Sequence, residues 1–195
     1  MQNEIIEDAY MQCQQICKNA STTFYSSFSA LGQEKRKAVH AVYALCRWVD
    51  DIVDGDEEPL VYTNEFLIQQ TSERDAILRE LHSGREPSNP QEIHLQRLMA
   101  LVSIRNKLEL AKEGKITKDD EPVFIALQDV FSKFTIRLQD FETIIEGMED
   151  DLFPVMCNSW DELRSYCYKV ASAVGLILIE IYGYDDPLAK KYAES

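Results

Sequence analysis

Glycine and proline are scarce in this 195-residue chain, at seven and six residues. Stretches in which Val, Ile or Thr alternate with polar residues at period two are few as well. A sheet-rich fold is thereby excluded, and the sequence reads as nearly all helical. Paired cysteines are missing: Cys13, Cys17, Cys46, Cys157 and Cys167 contain no C-x-x-C. Cys13 and Cys17 stand one helical turn apart without histidines at zinc-ligand spacing, which argues against a metal role. An odd count with no secretory segment reads as reduced thiols in a cytoplasmic protein. The N-terminus Met1-Gln2-Asn3-Glu4 is acidic and polar, unlike a signal peptide. Positive charge is in deficit, with 20 Lys and Arg against 34 Asp and Glu and a net charge of −14. That balance argues against nucleic acid as a partner. It also makes any anionic ligand depend on a mediating cation. No G-x-G-x-x-G dinucleotide fingerprint occurs. The longest apolar run, Val170 to Ile181, is broken by Ser172, Gly175 and Glu180 and is too short to span a bilayer.

What is present is one sizeable core. With 45% hydrophobic and 28% charged residues, the chain reads as a single domain over 1–195. A first helix is expected from about Asn3 to Lys18, with Ile5, Ile6, Ala9, Cys13, Ile16 and Cys17 on one side. The hydroxyl cluster Ser21-Thr22-Thr23 and the aromatic stretch Phe24 to Phe28 come next. A break at Leu31-Gly32 precedes a long helix ending at Asp54, and Pro59 starts another through about Leu81. Ser83 to Pro90 is the clearest loop. A helix of mixed pattern is expected from about Gln91 to Lys112, then a polar linker from Gly114 to Pro122. Pro122 suits a first helical turn, and that helix runs to about Phe134. Another covers Leu138 to Leu152, closed by Pro154. Ser159 and Glu162 form a capping box opening a helix to about Tyr182. Gly183 to Pro187 makes a turn before a last short helix.

The most informative stretch is Tyr43-Ala44-Leu45-Cys46-Arg47-Trp48-Val49-Asp50-Asp51-Ile52-Val53-Asp54. Asp50 and Asp54 share a helical face, and Arg47 sits three residues before Asp50 on much the same side. Three carboxylates at a helix C-terminus oppose the macrodipole, a cost that a divalent cation relieves. Magnesium suits such a site, since it takes one or two carboxylates plus substrate phosphates. A solvated acidic helix end running on into Asp56, Glu57 and Glu58 would carry the same letters. Against it stands the nearly uninterrupted apolar run from Lys37 to Val49, which marks a buried helix. Buried carboxylates and an arginine at its end need partners, and that argues for a cavity.

Three segments occur in order: Ser21-Thr22-Thr23-Phe24-Tyr25, Tyr43 to Asp54, and Tyr166-Cys167-Tyr168-Lys169-Val170-Ala171-Ser172-Ala173-Val174-Gly175. Together they resemble the squalene/phytoene synthase family, the head-to-head prenyltransferases. Glu146-Gly147-Met148-Glu149-Asp150-Asp151-Leu152 is similar to a G-M-x-x-D-L element of that family, and Trp160-Asp161-Glu162-Leu163 matches as well. The resemblance covers nearly the whole chain, least characteristically from Gly84 to Lys118. It implies an all-α isoprenoid-synthase-type bundle around a central apolar cavity with aspartate-rich helices at the mouth. It implies condensation of two prenyl diphosphates, farnesyl or geranylgeranyl, to a C30 or C40 carotenoid precursor with release of pyrophosphate. Carried onto this sequence, Asp50 and Asp54 bind magnesium with Asp51 assisting. Arg47, Tyr43, Ser21 and Thr23 contact diphosphate. Metal and arginine together supply the charge that ionising a prenyl diphosphate requires. Tyr166 is the expected stabiliser of a carbocation through its ring face. Val170, Ala171, Val174 and Gly175, with Leu178, would line a wall for the isoprenoid tail, although such a stripe also suits ordinary helix packing. The greasy product is compatible with peripheral membrane contact, with no basic amphipathic helix in support.

The sequence departs from the family pattern in three places. Ser172 stands where glycine is common, and Thr22 where some C30 synthases carry lysine. The second aspartate-rich motif, N-x-x-R-D-x-x-x-D, is absent. The chain stops at Lys190 to Ser195, where the approach to that helix begins, and Asp185-Asp186 lacks the Asn and Arg partners. The bundle is thus expected to be truncated before the second Asp-rich helix. Three readings are open: the N-terminal part of a longer synthase, a short form completed by a partner chain, or a non-catalytic helical interaction and assembly protein. The intact first motif favours the first.

Overall fold

The computed structural model describes residues 2–55, 79–80, 83–87, 89–152 and 157–193. Among them the chain is helical with no strand. Helix α1 (Gln2–Ala20) leads into Ser21, whose hydroxyl accepts the Phe24 N–H at 3.3 Å and so caps α2 (Thr22–Phe28). The hydroxyl-aromatic stretch is therefore a short helix, started by its own first serine. Helix α3 (Gln33–Val53) comes after Gly32 and ends at Asp54, whose N–H donates to the Asp50 carbonyl at 2.8 Å. The helix expected over Pro59 to Leu81 lies outside the described residues, apart from residues 79–80, which are helical.

Helix α4 (Pro90–Lys112) starts with Asn89 accepting the Glu92 N–H at 3.0 Å and proline in the first turn. Then come α5 (Pro122–Lys133) and α6 (Leu138–Leu152). Pro154, expected to close α6, lies outside the described residues. Helix α7 (Trp160–Cys167) is capped by Ser159, which accepts the Glu162 N–H at 3.2 Å. The return bond differs from the box pattern, because Glu162 accepts from Asn158 at 2.6 Å instead of from Ser159. A single π-turn, Tyr168–Ser172, joins α7 to α8 (Ala173–Tyr182). Gly183, at φ 74°, ends α8 in a conformation that favours glycine, and α9 (Leu188–Ala193) completes the chain of helices.

Helix α3 is the hub, packing on α1, α4, α5, α6 and α8. Its buried residues, from Ala38 through Val53, occupy most of its circumference, as its apolar sequence predicts. Phe124 of α5, Phe141 of α6, Leu45 of α3 and Leu101 of α4 are nearly inaccessible. Each such side chain stabilises the fold by about 1.5–3 kcal/mol.

The π-turn sits where α6 comes nearest. A methyl group on Gly147 of α6 would stand 2.9 Å from both the Lys169 Cβ and the Val170 Cγ1, so only glycine permits this approach. The continuous helix Trp160–Tyr182 has 23 residues and holds an 18-residue stretch of mean hydropathy 1.2, long and apolar enough to cross a membrane by length and composition alone. The expectation of a segment too short to span holds for the apolar run and not for the helix that contains it. Ala173, Leu176, Ile177 and Ile181 of this helix are buried in the protein.

Candidate functional site

The C-terminal end of α3 carries the candidate site. Arg47 donates to Asp50 Oδ2 at 2.9 Å and also holds the Asp51 carboxylate, one guanidinium spanning two acids of its own helix. The i, i+3 and i, i+4 spacings put all three on one side. Asp50 is half-buried, while Asp51 and Asp54 are exposed. The burial inferred from the apolar run therefore reaches Asp50 only in part, because α3 emerges from the core in its last turn. Burial, then the Asp54 charge, raises the Asp50 pKa above the usual carboxylate value. Arg47 opposes that shift, and Asp51 and Asp151 add to it.

Tyr43 lies one turn before Arg47, its ring 5.9 Å from that of Phe24 on α2. Burial raises its phenol pKa, Cys17 and Asp50 add to this, and Arg47 and the Ser21 hydroxyl work against it. Ser21, Tyr43, Arg47 and Asp50 are thus brought together by the docking of α2 beside α3. Thr23 is exposed in the first turn of α2.

A second acidic helix end faces the first. Asp151 in the last turn of α6 adds to the upward shift of Asp50 and accepts a hydrogen bond from the Tyr166 hydroxyl at 2.8 Å. That bond, before burial, pushes the Tyr166 phenol up to about 12. Lys169 of the π-turn donates to Asp150 at 2.7 Å, and Arg105 of α4 grips Glu149 with both guanidinium nitrogens. Tyr166 and the Asp50 face are therefore connected through Asp151. Sequence patterning assigns Asp151 no role; its signal is the Gly147-Met148-Glu149-Asp150-Asp151-Leu152 element.

The expected tail-lining residues are spread around their helix. Val170, Val174 and Gly175 are half-buried and Ala171 is exposed. The π-turn accounts for this spread, since it fits an extra residue and rotates the residues beyond it by about 100° relative to α-helical spacing. At Gly175 a methyl group would come within 2.9 Å of the Ala193 carbonyl oxygen, so α9 occupies the space in front of it. Leu178 and Val174 pack on the main core. Two surface cavities, of about 250 and 290 Å³, lie elsewhere, beside Ile5, Ile125 and Ser132 and beside Glu7, Tyr10 and Lys133.

Among the described residues no three Asp, Glu, His or Cys side chains converge as a ready-made metal cage. Asp50, Asp51 and Asp54 are hard oxygen donors, and the charges of Asp54 and Asp51 raise the proton affinity of Asp50. That donor set fits magnesium, which needs only one or two carboxylates when phosphate oxygens complete its shell.

Comparisons with known proteins span the segments that build this site. The family model for Squalene/phytoene synthase matches residues 17–195. Phytoene synthase 2, chloroplastic, of Oryza sativa subsp. japonica is 31% identical over 179 residues, covering 92% of this chain and 35% of the relative. Phytoene synthase of Mycobacterium tuberculosis is 28% identical over 189 residues, covering 97% of this chain and 49% of the relative. A crystal structure of a dehydrosqualene synthase in complex with ligand superimposes with a TM-score of 0.67 at 27% identity, covering all of this chain and 56% of the other. The chain thus spans a third to a half of the curated relatives it matches. With the acidic end of α3, its Arg47 clasp and the Tyr166 segment all falling inside the matched region, the chain belongs to the squalene/phytoene synthase family.

Proposed function

We propose that this chain is the diphosphate-receiving part of a magnesium-dependent head-to-head prenyltransferase. Its substrates are two prenyl diphosphates, farnesyl or geranylgeranyl, and its product is a C30 or C40 carotenoid precursor. The observation that carries this reading is the Arg47 clasp on Asp50 and Asp51, facing Asp151 and Tyr166 within the family match. Bound magnesium would neutralise diphosphate oxygens and favour departure of pyrophosphate. Asp50 and Asp54 would hold it, with Asp51 released from Arg47 as the arginine turns to phosphate. Tyr43 and the Ser21 and Thr23 hydroxyls would donate to phosphate oxygens. Tyr166, oriented by Asp151, would present its ring to developing positive charge. The remaining metal-binding carboxylates come from residues outside these 195 or from a partner chain, in keeping with the share of its relatives that the chain covers. A cytoplasmic location belongs to this reading, and an odd number of cysteines without a C-x-x-C pair is in keeping with it.

The test is pyrophosphate release and hydrocarbon formation from farnesyl and geranylgeranyl diphosphate with Mg²⁺, comparing the chain with Asp50→Ala. Turnover that disappears in the variant supports the reading, and turnover that persists rejects it. If neither protein turns over, Mg²⁺-dependent binding of farnesyl diphosphate decides. Equal binding by both proteins then favours the rival reading, a non-catalytic interaction protein built on the same fold.

A further inference from the structure

Helix α4 lies in the part of the chain that resembles the family least, yet it reaches the acidic end of α3. Its Arg97 guanidinium lies directly over Gly55, the residue after Asp54. A methyl group built on Gly55 would overlap the guanidinium, so the absence of a side chain there is what lets Arg97 in. The other cations of α4 are committed. Arg105 is paired with Glu149, Lys107 with Asp120 and Glu121, and Lys112 donates to the Ile136 carbonyl at 2.9 Å. Arg97 has no carboxylate partner or hydrogen bond among the described residues, although it is half-buried against the residue that follows Asp54.

Charge arithmetic makes this position informative. Asp50, Asp51, Asp54 and Asp151 crowd this end of α3, and Arg47 is already engaged with two of them. A diphosphate arriving here brings about three further negative charges, of which one magnesium ion offsets two. A second arginine is needed, and a guanidinium is suited to it because its planar fork matches two phosphate oxygens at once.

We infer that Arg97 is a second anion-binding residue of this site, gripping the terminal phosphate of a magnesium-bound diphosphate from the α4 side, opposite Arg47. The inference rests on the proposed function and adds to it a substrate-binding residue on α4. Gly55 is its companion, kept small so that the guanidinium can approach. The competing role is that of a fixed counter-charge for the C-terminal end of α3, which would affect folding and not ligand binding.

The experiment is calorimetric titration of the full 195-residue chain with inorganic pyrophosphate in Mg²⁺, together with thermal melts of each variant. Arg97→Met is expected to bind about tenfold or more weakly, the usual loss for a charge-assisted hydrogen bond. Arg97→Lys should recover part of that loss. Gly55→Ala should weaken binding with Arg97 still in place, and Lys115→Met, a cation remote in sequence and paired with Glu113, should not. Undiminished binding by Arg97→Met while Arg47→Ala binds weakly would overturn the role of Arg97 and leave the functional reading intact. A lowered melting temperature with unchanged affinity would overturn it in favour of the counter-charge. Absence of pyrophosphate binding by the unsubstituted chain would sink the inference and the functional reading together.

Discussion

The C-terminal ends of α3 and α6 are both acidic, and their carboxylates find partners in opposite ways. On α3 the arginine lies on the same helix, three and four residues before its partners. On α6 the partners arrive from elsewhere: Arg105 from α4 holds Glu149, Lys169 from the π-turn holds Asp150, and Tyr166 from α7 holds Asp151. A clasp within one helix can open without disturbing the packing. A set of bonds between helices cannot, because each one also fixes where two elements sit. The α3 end is therefore suited to exchanging partners with a ligand, and the α6 end to keeping the frame in place.

This contrast can be tested by substitution. The largest effect is expected at Gly147, where α6 meets the π-turn. Gly147→Ala should lower stability by about 1–2 kcal/mol, because overpacking against Lys169 and Val170 outweighs the gain in helix propensity. Chemical denaturation measures it, and a neutral result would mean that the two segments can separate at little cost. Arg105→Met comes next, at about 1 kcal/mol, since its bidentate bond with Glu149 is three-quarters shielded from water. Arg47→Met should cost at most about 0.5 kcal/mol, because that clasp is local and more exposed. If Arg47→Met proved as destabilising as Arg105→Met, the distinction between an exchangeable clasp and a structural one would be gone.

The smallest effect has the sharpest sign. Asp50 binds its proton more tightly folded than unfolded, so its stabilising contribution is complete below the ordinary value near 3.8 and is lost as pH rises through the raised folded value. At neutral pH without magnesium, Asp50→Asn should be slightly more stable than the unsubstituted chain in denaturant titrations, because the folded state holds the charged carboxylate at a cost. The difference should shrink toward zero below pH 3.8. Magnesium with pyrophosphate should reverse the order, since only the aspartate gains from the ligand.

The α3 end was legible in the sequence because its pairing is local: Arg47, Asp50 and Asp51 meet by helical spacing alone. The same holds for the Ser159 cap and for the proline that opens α5. Arg97 over Gly55 and Tyr166 on Asp151 were not legible, because residues 42 and 15 positions apart meet only once the helices have packed. The π-turn escaped for another reason. Hydrophobic spacing in Tyr166 to Leu178 fits an uninterrupted helix, and the widening coincides with a neighbour, Gly147, that pattern reading does not weigh. The long apolar run of α3 correctly marked the hub of the core but overstated how far burial extends, since it could not show which turn leaves the protein.

The distribution of sulfur turns this fold into its own clock. Cys13 and Cys17 are buried, with thiols pushed up to about 12 and 11, and Cys46 is pushed up to about 12. Cys157 is exposed just before α7 and Cys167 at its last residue. A thiolate-seeking label at neutral pH should therefore take up about two equivalents quickly, the half-buried Cys46 more slowly, and Cys13 and Cys17 only as the bundle opens. The slow phase would time the separation of α1 from α3, and its lengthening on addition of magnesium and pyrophosphate would report ligand capture without any turnover being required.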